Sequence, residues 1–397
     1  MKYAFKLGML AAAVSAAGIL AACGGVGGDS SASGTVAVSL TDAPACGFDA
    51  VNVTVSKVRV HQSSTANVND AGWTDITLNP ARKINLVNLT NGVLDSLGQA
   101  SLPAGHYTQL RLVLAADTSG ATLNNSVLPT GGVETALATP SAAQSGIKLI
   151  GQFDVAANTL SDVVLDFDAC KSVVARGNGS YGLVPVISVT PKSGSGGISG
   201  HLDTALLASH PVIHAEINGV IVKSTVPDAT GSFTLSPLVG SSTSGNYVVV
   251  ITADAHATEV IDNVPVTAQA NTPISTSATP ITLPVSSTNN TVSGTVTPAG
   301  DLPVVTARQS FASGPTVAVA FRNADATTGA YSMTLPATAP LLGHFGALPI
   351  SATAATALAG QYSINATGTT TAGATVSAPA ATISLSSGNV TQSFTLQ

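Results

Sequence analysis

The sequence predicts an all-β protein of three tandem antiparallel β-sandwich domains, and three observations carry that expectation. Apolar and polar residues alternate at a period of two along most of the chain, the pattern of strands with one buried face. The 397 residues include 38 glycines and 21 prolines, so turns are dense, while charged residues make up only 9% and leave no Glu/Lys-rich helical surface. Short motifs beyond residue 197 recur in the same order, as two copies of one module require. The length allows several separate cores. With 14 Lys and Arg against 20 Asp and Glu there is no phosphate-neutralising field, so no nucleic-acid partner is expected.

Lys2 and Lys6 precede an apolar run from Leu7 to Leu20. That run is shorter than the roughly 20 residues needed to cross a bilayer and suits a signal-peptide core over residues 1–22. Leu20-Ala21-Ala22-Cys23 follows and resembles the lipobox of bacterial lipoproteins. The resemblance implies that Cys23 is the mature N-terminus, carrying diacylglycerol and an acylated amine. Several acyl chains, at about 0.8 kcal/mol per buried methylene, make a stable anchor. Gly24 stands after the cysteine where the sorting pattern's inner-membrane signal has Asp, so outer-membrane localisation is expected. Residues 23–33, Gly/Ser-rich, read as a flexible tether.

The first unit spans residues 34–191. Val36, Val38 and Leu40 share one strand face, as do Val51, Val53 and Val55; the phase then flips to Val58 and Val60, which predicts a bulge near Ser56-Lys57. Leu110, Leu112 and Leu114 mark a further strand, and Leu165 and Phe167 another, flanked outward by Asp166 and Asp168. Leu86 to Leu97 is the one helix candidate, with Asn85 or Asn88 available as its cap. Thr41-Asp42-Ala43-Pro44, Trp73, Leu102-Pro103-Ala104-Gly105-His106-Tyr107, Leu165-Asp166-Phe167-Asp168-Ala169-Cys170 and Leu183-Val184-Pro185-Val186-Ile187 together resemble the domain of unknown function 4382 found in bacterial lipoproteins. The resemblance implies a β fold and a surface location, and no activity.

Ser193 to Gly197 reads as a linker, and the repeat follows it. Ile198-Ser199-Gly200 corresponds to Val292-Ser293-Gly294, Thr230-Gly231-Ser232-Phe233 to Thr328-Gly329-Ala330-Tyr331, and Gly245-Asn246-Tyr247 to Gly360-Gln361-Tyr362. These units span residues 198–286 and 291–397. The longer second copy gains its length around Ala337 to Ala359. The motif order resembles the carboxypeptidase regulatory-like domain, a transthyretin-like sandwich, which implies an accessory module that holds other domains or, in some relatives, binds carbohydrate. Tyr247 and Tyr362 are expected to pack in their cores with the hydroxyls bonded back to the backbone.

Cys46 and Cys170 are the cysteines left after Cys23, and in an oxidising compartment they are expected to pair. Such a closure is worth about 5 kcal/mol on the chain-entropy model. Asp166 and Asp168 lie about 6.6 Å apart on one strand face; with Asp42 and Asp49 they would form an oxygen-rich neighbourhood suited to Ca²⁺. The competing reading is a solvated strand face with an Asx-turn at Asp42. No other cofactor is expected. His210 and His214 share a strand face about 13 Å apart, too far for one zinc. The sequence holds no His-Glu-x-x-His, Cys-x-x-Cys, Gly-x-Ser-x-Gly or P-loop pattern, and three glutamates with one tryptophan are a poor basis for sugar cleavage. The chain is therefore expected not to be an enzyme. Trp73 and Tyr107 are the candidate ligand-binding aromatics. The expected role is a lipid-anchored binding or adhesion module of the cell envelope with carbohydrate as the ligand class; the alternative is a structural spacer that holds a partner protein at the outer membrane.

Overall fold

The computed structural model describes residues 32–44, 46–117 and 123–397. The signal peptide, Cys23 and nearly all of the tether lie outside them. The described chain is all-β and divides into three sandwiches, each with its own apolar core.

The first unit packs a four-stranded sheet on a larger one. The small sheet runs in the order Ile187–Pro191, Leu160–Asp168, Ser33–Ala43, Asp95–Pro103. The larger sheet is centred on Phe48–His61, which pairs with Thr74–Asn85 and with Gly105–Leu114. Val36, Val38 and Leu40 meet Val53, Leu112 and Phe167 in a fully buried core. The expected bulge is present: the register of Phe48–His61 shifts between Val55 and Lys57 against both neighbours. Two expectations need correction. Leu86–Leu89 is a single 3-10 turn capped by Asn85, whose Oδ1 accepts from the Val87 amide, and Asp95–Pro103 is a strand, not the end of a helix. The sheet is also not purely antiparallel, because Ser33–Ala43 runs parallel to Leu160–Asp168. The later strand returns across the sandwich instead of through a hairpin, so both run the same way.

The second and third units repeat one plan. Ser195–His201 pairs antiparallel with Ser232–Val239 and parallel with Asn271–Pro273; Asn289–Thr297 does the same with Ala330–Pro336 and Val390–Thr391. Gly200 stands opposite Phe233 and Gly294 opposite Tyr331, so the sequence correspondence is also a structural one. Gly196 and Gly197 are not linker. They are buried in the opening strand, where a Cβ at Gly196 would strike the Thr267 carbonyl, so glycine is there for close approach.

The insertion around Ala337 to Ala359 does not decorate its own unit. Its strands Leu341–His344 and Ala352–Ala354 join the second unit's sheet, with Leu341–His344 parallel to Glu259–Val264. That sheet is covered on both faces: Val249, Ile251 and Ile261 lie in the second unit's core, Val250 and Val260 in the third's. The unbroken run Val248-Val249-Val250-Ile251 is the sequence mark of a strand buried on both sides.

Candidate functional site

The three units meet around the disulfide. Cys46 and Cys170 are bonded, with Cα atoms 5.1 Å apart, as the cysteine count predicts. Cys170 packs against a small cluster of Ile221 from the second unit and Ala318 and Phe321 from the third. Polar side chains tie the same junction. The Asn323 amide donates to the carbonyls of Cys170, Lys171 and Val173 at 3.0–3.1 Å. Asn91 donates its backbone amide to Thr225 Oγ1 and accepts at Oδ1 from the Thr234 amide, at 2.9 and 2.6 Å. Glu216, fully buried, accepts the Ala318 amide on both oxygens, at 3.2 and 3.1 Å, and burial pushes its carboxyl up to about 7.

The four aspartates do not form one group. Asp42 is buried; its Oδ1 accepts the Ala169 amide at 2.9 Å and its Oδ2 has no hydrogen-bond partner. Burial holds this carboxyl well above the usual carboxylate range. Asp166 and Asp168 share the outward face of Leu160–Asp168, yet that face is not solvated. Asp166 receives Lys223 Nζ of the second unit at 2.5 Å, while Asp168 caps the next turn through the Lys171 amide and pairs with Lys171 Nζ at 2.9 Å. Asp42 pairs in register with Phe167, so its side chain takes the opposite face of the sheet. Asp49 stands apart, exposed and bonded to Thr130 Oγ1 at 2.7 Å. Among the described residues no three His, Cys, Asp or Glu side chains are placed to hold one metal ion.

Both candidate aromatics are already engaged. Tyr107 is a core residue, 3% exposed, stacked on Phe153 with its hydroxyl donating to the Pro103 carbonyl at 2.9 Å. A register shift between Tyr107 and Gln109 turns it inward, out of phase with Leu110, Leu112 and Leu114; this overturns its reading as a ligand residue. Trp73 is half-buried. Its ring meets the guanidinium carbons of Arg59 and Arg111 at 4.9 and 5.4 Å and the His61 ring at 4.9 Å, and its Nε1 donates to the Asn67 carbonyl. Tyr247 and Tyr362 behave as expected: both are buried and donate to the carbonyls of Val239 and Pro336, at 2.7 and 2.5 Å.

A feature without a sequence signature is a cleft of about 590 Å³ at this junction, walled by Cys46 of the first unit, by His210, His214, Asp254 and His256 of the second, and by Phe321, Arg322 and Asn289 beside the third. His210 Nδ1 donates to Asp254 Oδ2 at 3.0 Å, and His256 Nδ1 to the Asp254 carbonyl at 2.7 Å. In each neutral ring Nε2 is then an acceptor. Arg322 donates Nη1 to the Phe321 carbonyl and keeps further donors. His214 is paired with Ser224 Oγ at 2.7 Å, but burial lowers its imidazole to about 3, too low for a general base near neutral pH.

Among solved structures, the chain is similar over 23% of its length to a type II cohesin–X–dockerin complex from Acetivibrio cellulolyticus, at 32% identity, 58% of that chain and a TM-score of 0.19. It therefore spans little more than half of that protein. It is similar over 92% of its length to the Bacillus anthracis TIE protein, at 9% identity, 51% of that chain and a TM-score of 0.17. A Ca²⁺-stabilised ice-binding adhesin of an Antarctic bacterium aligns over 90% of this chain and 74% of its own at 12% identity and a TM-score of 0.14. TM-scores this low fix neither fold nor function. No curated protein matches the chain. Residues 33–185 match the family described as a domain of unknown function (DUF4382), which supports the reading of the first unit as a member of that family.

Proposed function

We propose that the chain is a non-enzymatic binding protein of the cell envelope, held at the outer membrane through lipid on Cys23, and that carbohydrate binds in the cleft where the three units meet. The observation that carries this reading is the cleft itself. Its volume, about 590 Å³, is ligand-sized. Its walls come from all three units, which side-chain bonds and a shared sheet hold in one arrangement. The lining offers donors on Arg322 and Asn289 and acceptors on His210, His256 and Asp254, the mixture that a hydroxyl-rich ligand satisfies on both sides. A sparse surface charge, 9% of residues, suits a neutral ligand better than a charged one. The resemblance of the second and third units to carboxypeptidase regulatory-like modules points the same way.

A glycan-array screen of the chain, with the double variant His256→Ala/Arg322→Ala beside it, tests the proposal. Binding to a defined saccharide class that the double variant loses is the expected result. Binding that the variant keeps moves the site elsewhere. Silence across polysaccharides and peptidoglycan fragments leaves the spacer role, in which the same rigid body holds a partner protein.

A further inference from the structure

The contact between Lys223 and Asp166 is not an ordinary surface ion pair. Lys223 lies on Val220–Thr225 of the second unit and Asp166 on Leu160–Asp168 of the first. Nζ stands 2.5 Å from Oδ1, with the lysine side chain 2% exposed and the aspartate side chain 10%. An ammonium carries three N–H donors, yet among the described residues Asp166 Oδ1 is the one acceptor bonded to this nitrogen. Two charges out of water with donors unmet are costly to keep. Condensation would remove both charges and leave a single amide donor.

We propose that Lys223 Nζ and Asp166 Cγ are joined in an intramolecular isopeptide bond that cross-links the first unit to the second. The reacting pair is an amine and a carboxylic acid, formed when the ammonium proton passes to the carboxylate oxygen. Burial raises the Asp166 carboxyl above its usual range, the direction that this exchange needs. The amine lone pair then adds to Cγ, forming the C–N bond while the carbonyl π pair moves onto oxygen. The proton shed by nitrogen goes to the departing hydroxyl, the C–OH bond breaks, the carbonyl re-forms and one water leaves. Nothing is oxidised or reduced, and no co-reactant is consumed.

Position supplies the rate. Both groups sit on strands, and the flanking bonds of Asn91 to Thr225 and Thr234 hold the two units in register beside the contact. Intramolecular reactions so oriented reach effective concentrations of about 10⁵ M or more.

Peptide mapping by mass spectrometry decides the matter. The full chain is purified from membranes in detergent, reduced and alkylated to open Cys46–Cys170, denatured and digested with trypsin. The expected product is one species in which the peptides holding Asp166 and Lys223 are joined and lighter than their sum by one water, with no cleavage after Lys223. Separate peptides with both side chains free, and cleavage after Lys223, overturn the proposal and leave a buried ion pair. Lys223→Arg keeps the positive charge but lacks the amine, so the joined species is expected to vanish; its persistence would place the bond at another residue and equally overturn the assignment.

Discussion

Tyr107 shows why single residues are hard to read from sequence. It stands out of phase with Leu110, Leu112 and Leu114, so periodicity puts its ring outside; the register shift at Thr108 turns it in. Removing its hydroxyl in Tyr107→Phe is expected to lose the bond to Pro103 at about 1 kcal/mol in a denaturant titration, and to leave glycan binding unchanged. Asp42 is the opposite lesson, an acidic residue whose burial disfavours the charged form and holds its carboxyl well above the usual carboxylate range. Asp42→Asn is therefore expected to shift the urea midpoint little, whereas Asp42→Ala, which strips the acceptor from the Ala169 amide, is expected to cost about 1–3 kcal/mol. Cys46 and Cys170 were legible because counting and compartment suffice for two cysteines. The aspartates were misread because what covers Asp166 comes from another unit, and no local pattern announces Lys223.

Individual elements were legible where periodicity is clean, as at the Ser56-Lys57 bulge and the paired Ser-Gly strands of the repeat. The Leu86 to Leu97 stretch failed because one capped turn and a strand together imitate a short apolar helix. The insertion between Ala337 and Ala359 was visible as extra length, but its pairing with the neighbouring unit was not, since an edge strand's partner leaves no mark in its own sequence. Leu341→Pro would delete the amide that donates to the Thr258 carbonyl at 2.8 Å. Hydrogen exchange is then expected to quicken in Glu259–Val264 of the second unit and to stay unchanged in Asn289–Thr297 of the third. The same joint is pH-sensitive. Burial raises Glu216 to about 7, above its unfolded value, so its contribution is complete below the unfolded pKa and is lost as pH rises through about 7. Between pH 5 and pH 8 this loss is about 3 kcal/mol at most. Urea titrations across that range are expected to show the decline in the parent chain and a flatter profile in Glu216→Gln. His214 acts in the other direction: lowered to about 3 by burial, it withdraws stability as pH falls below about 6.5.

At the scale of the whole molecule, the chain is expected to move as one body. A beaded string of sandwiches would need polar, solvated joints. Here the joints hold the Cys170–Ile221–Phe321 cluster, the buried Lys223–Asp166 contact, the Asn323 and Asn91 bonds, and a sheet built from two units. The all-β, multi-sandwich plan was readable from composition and patterning. The arrangement of the units was not, because it rests on single polar residues with no periodicity. The cleft exists only if that arrangement holds, so the joint geometry is the claim on which the binding role depends. Small-angle X-ray scattering of residues 33–397 in dilute buffer tests it most directly. One compact particle is predicted, with a profile that matches the interlocked structure. An extended, multi-bead profile would contradict the account, because units that drift apart leave no shared cleft for a ligand to fill.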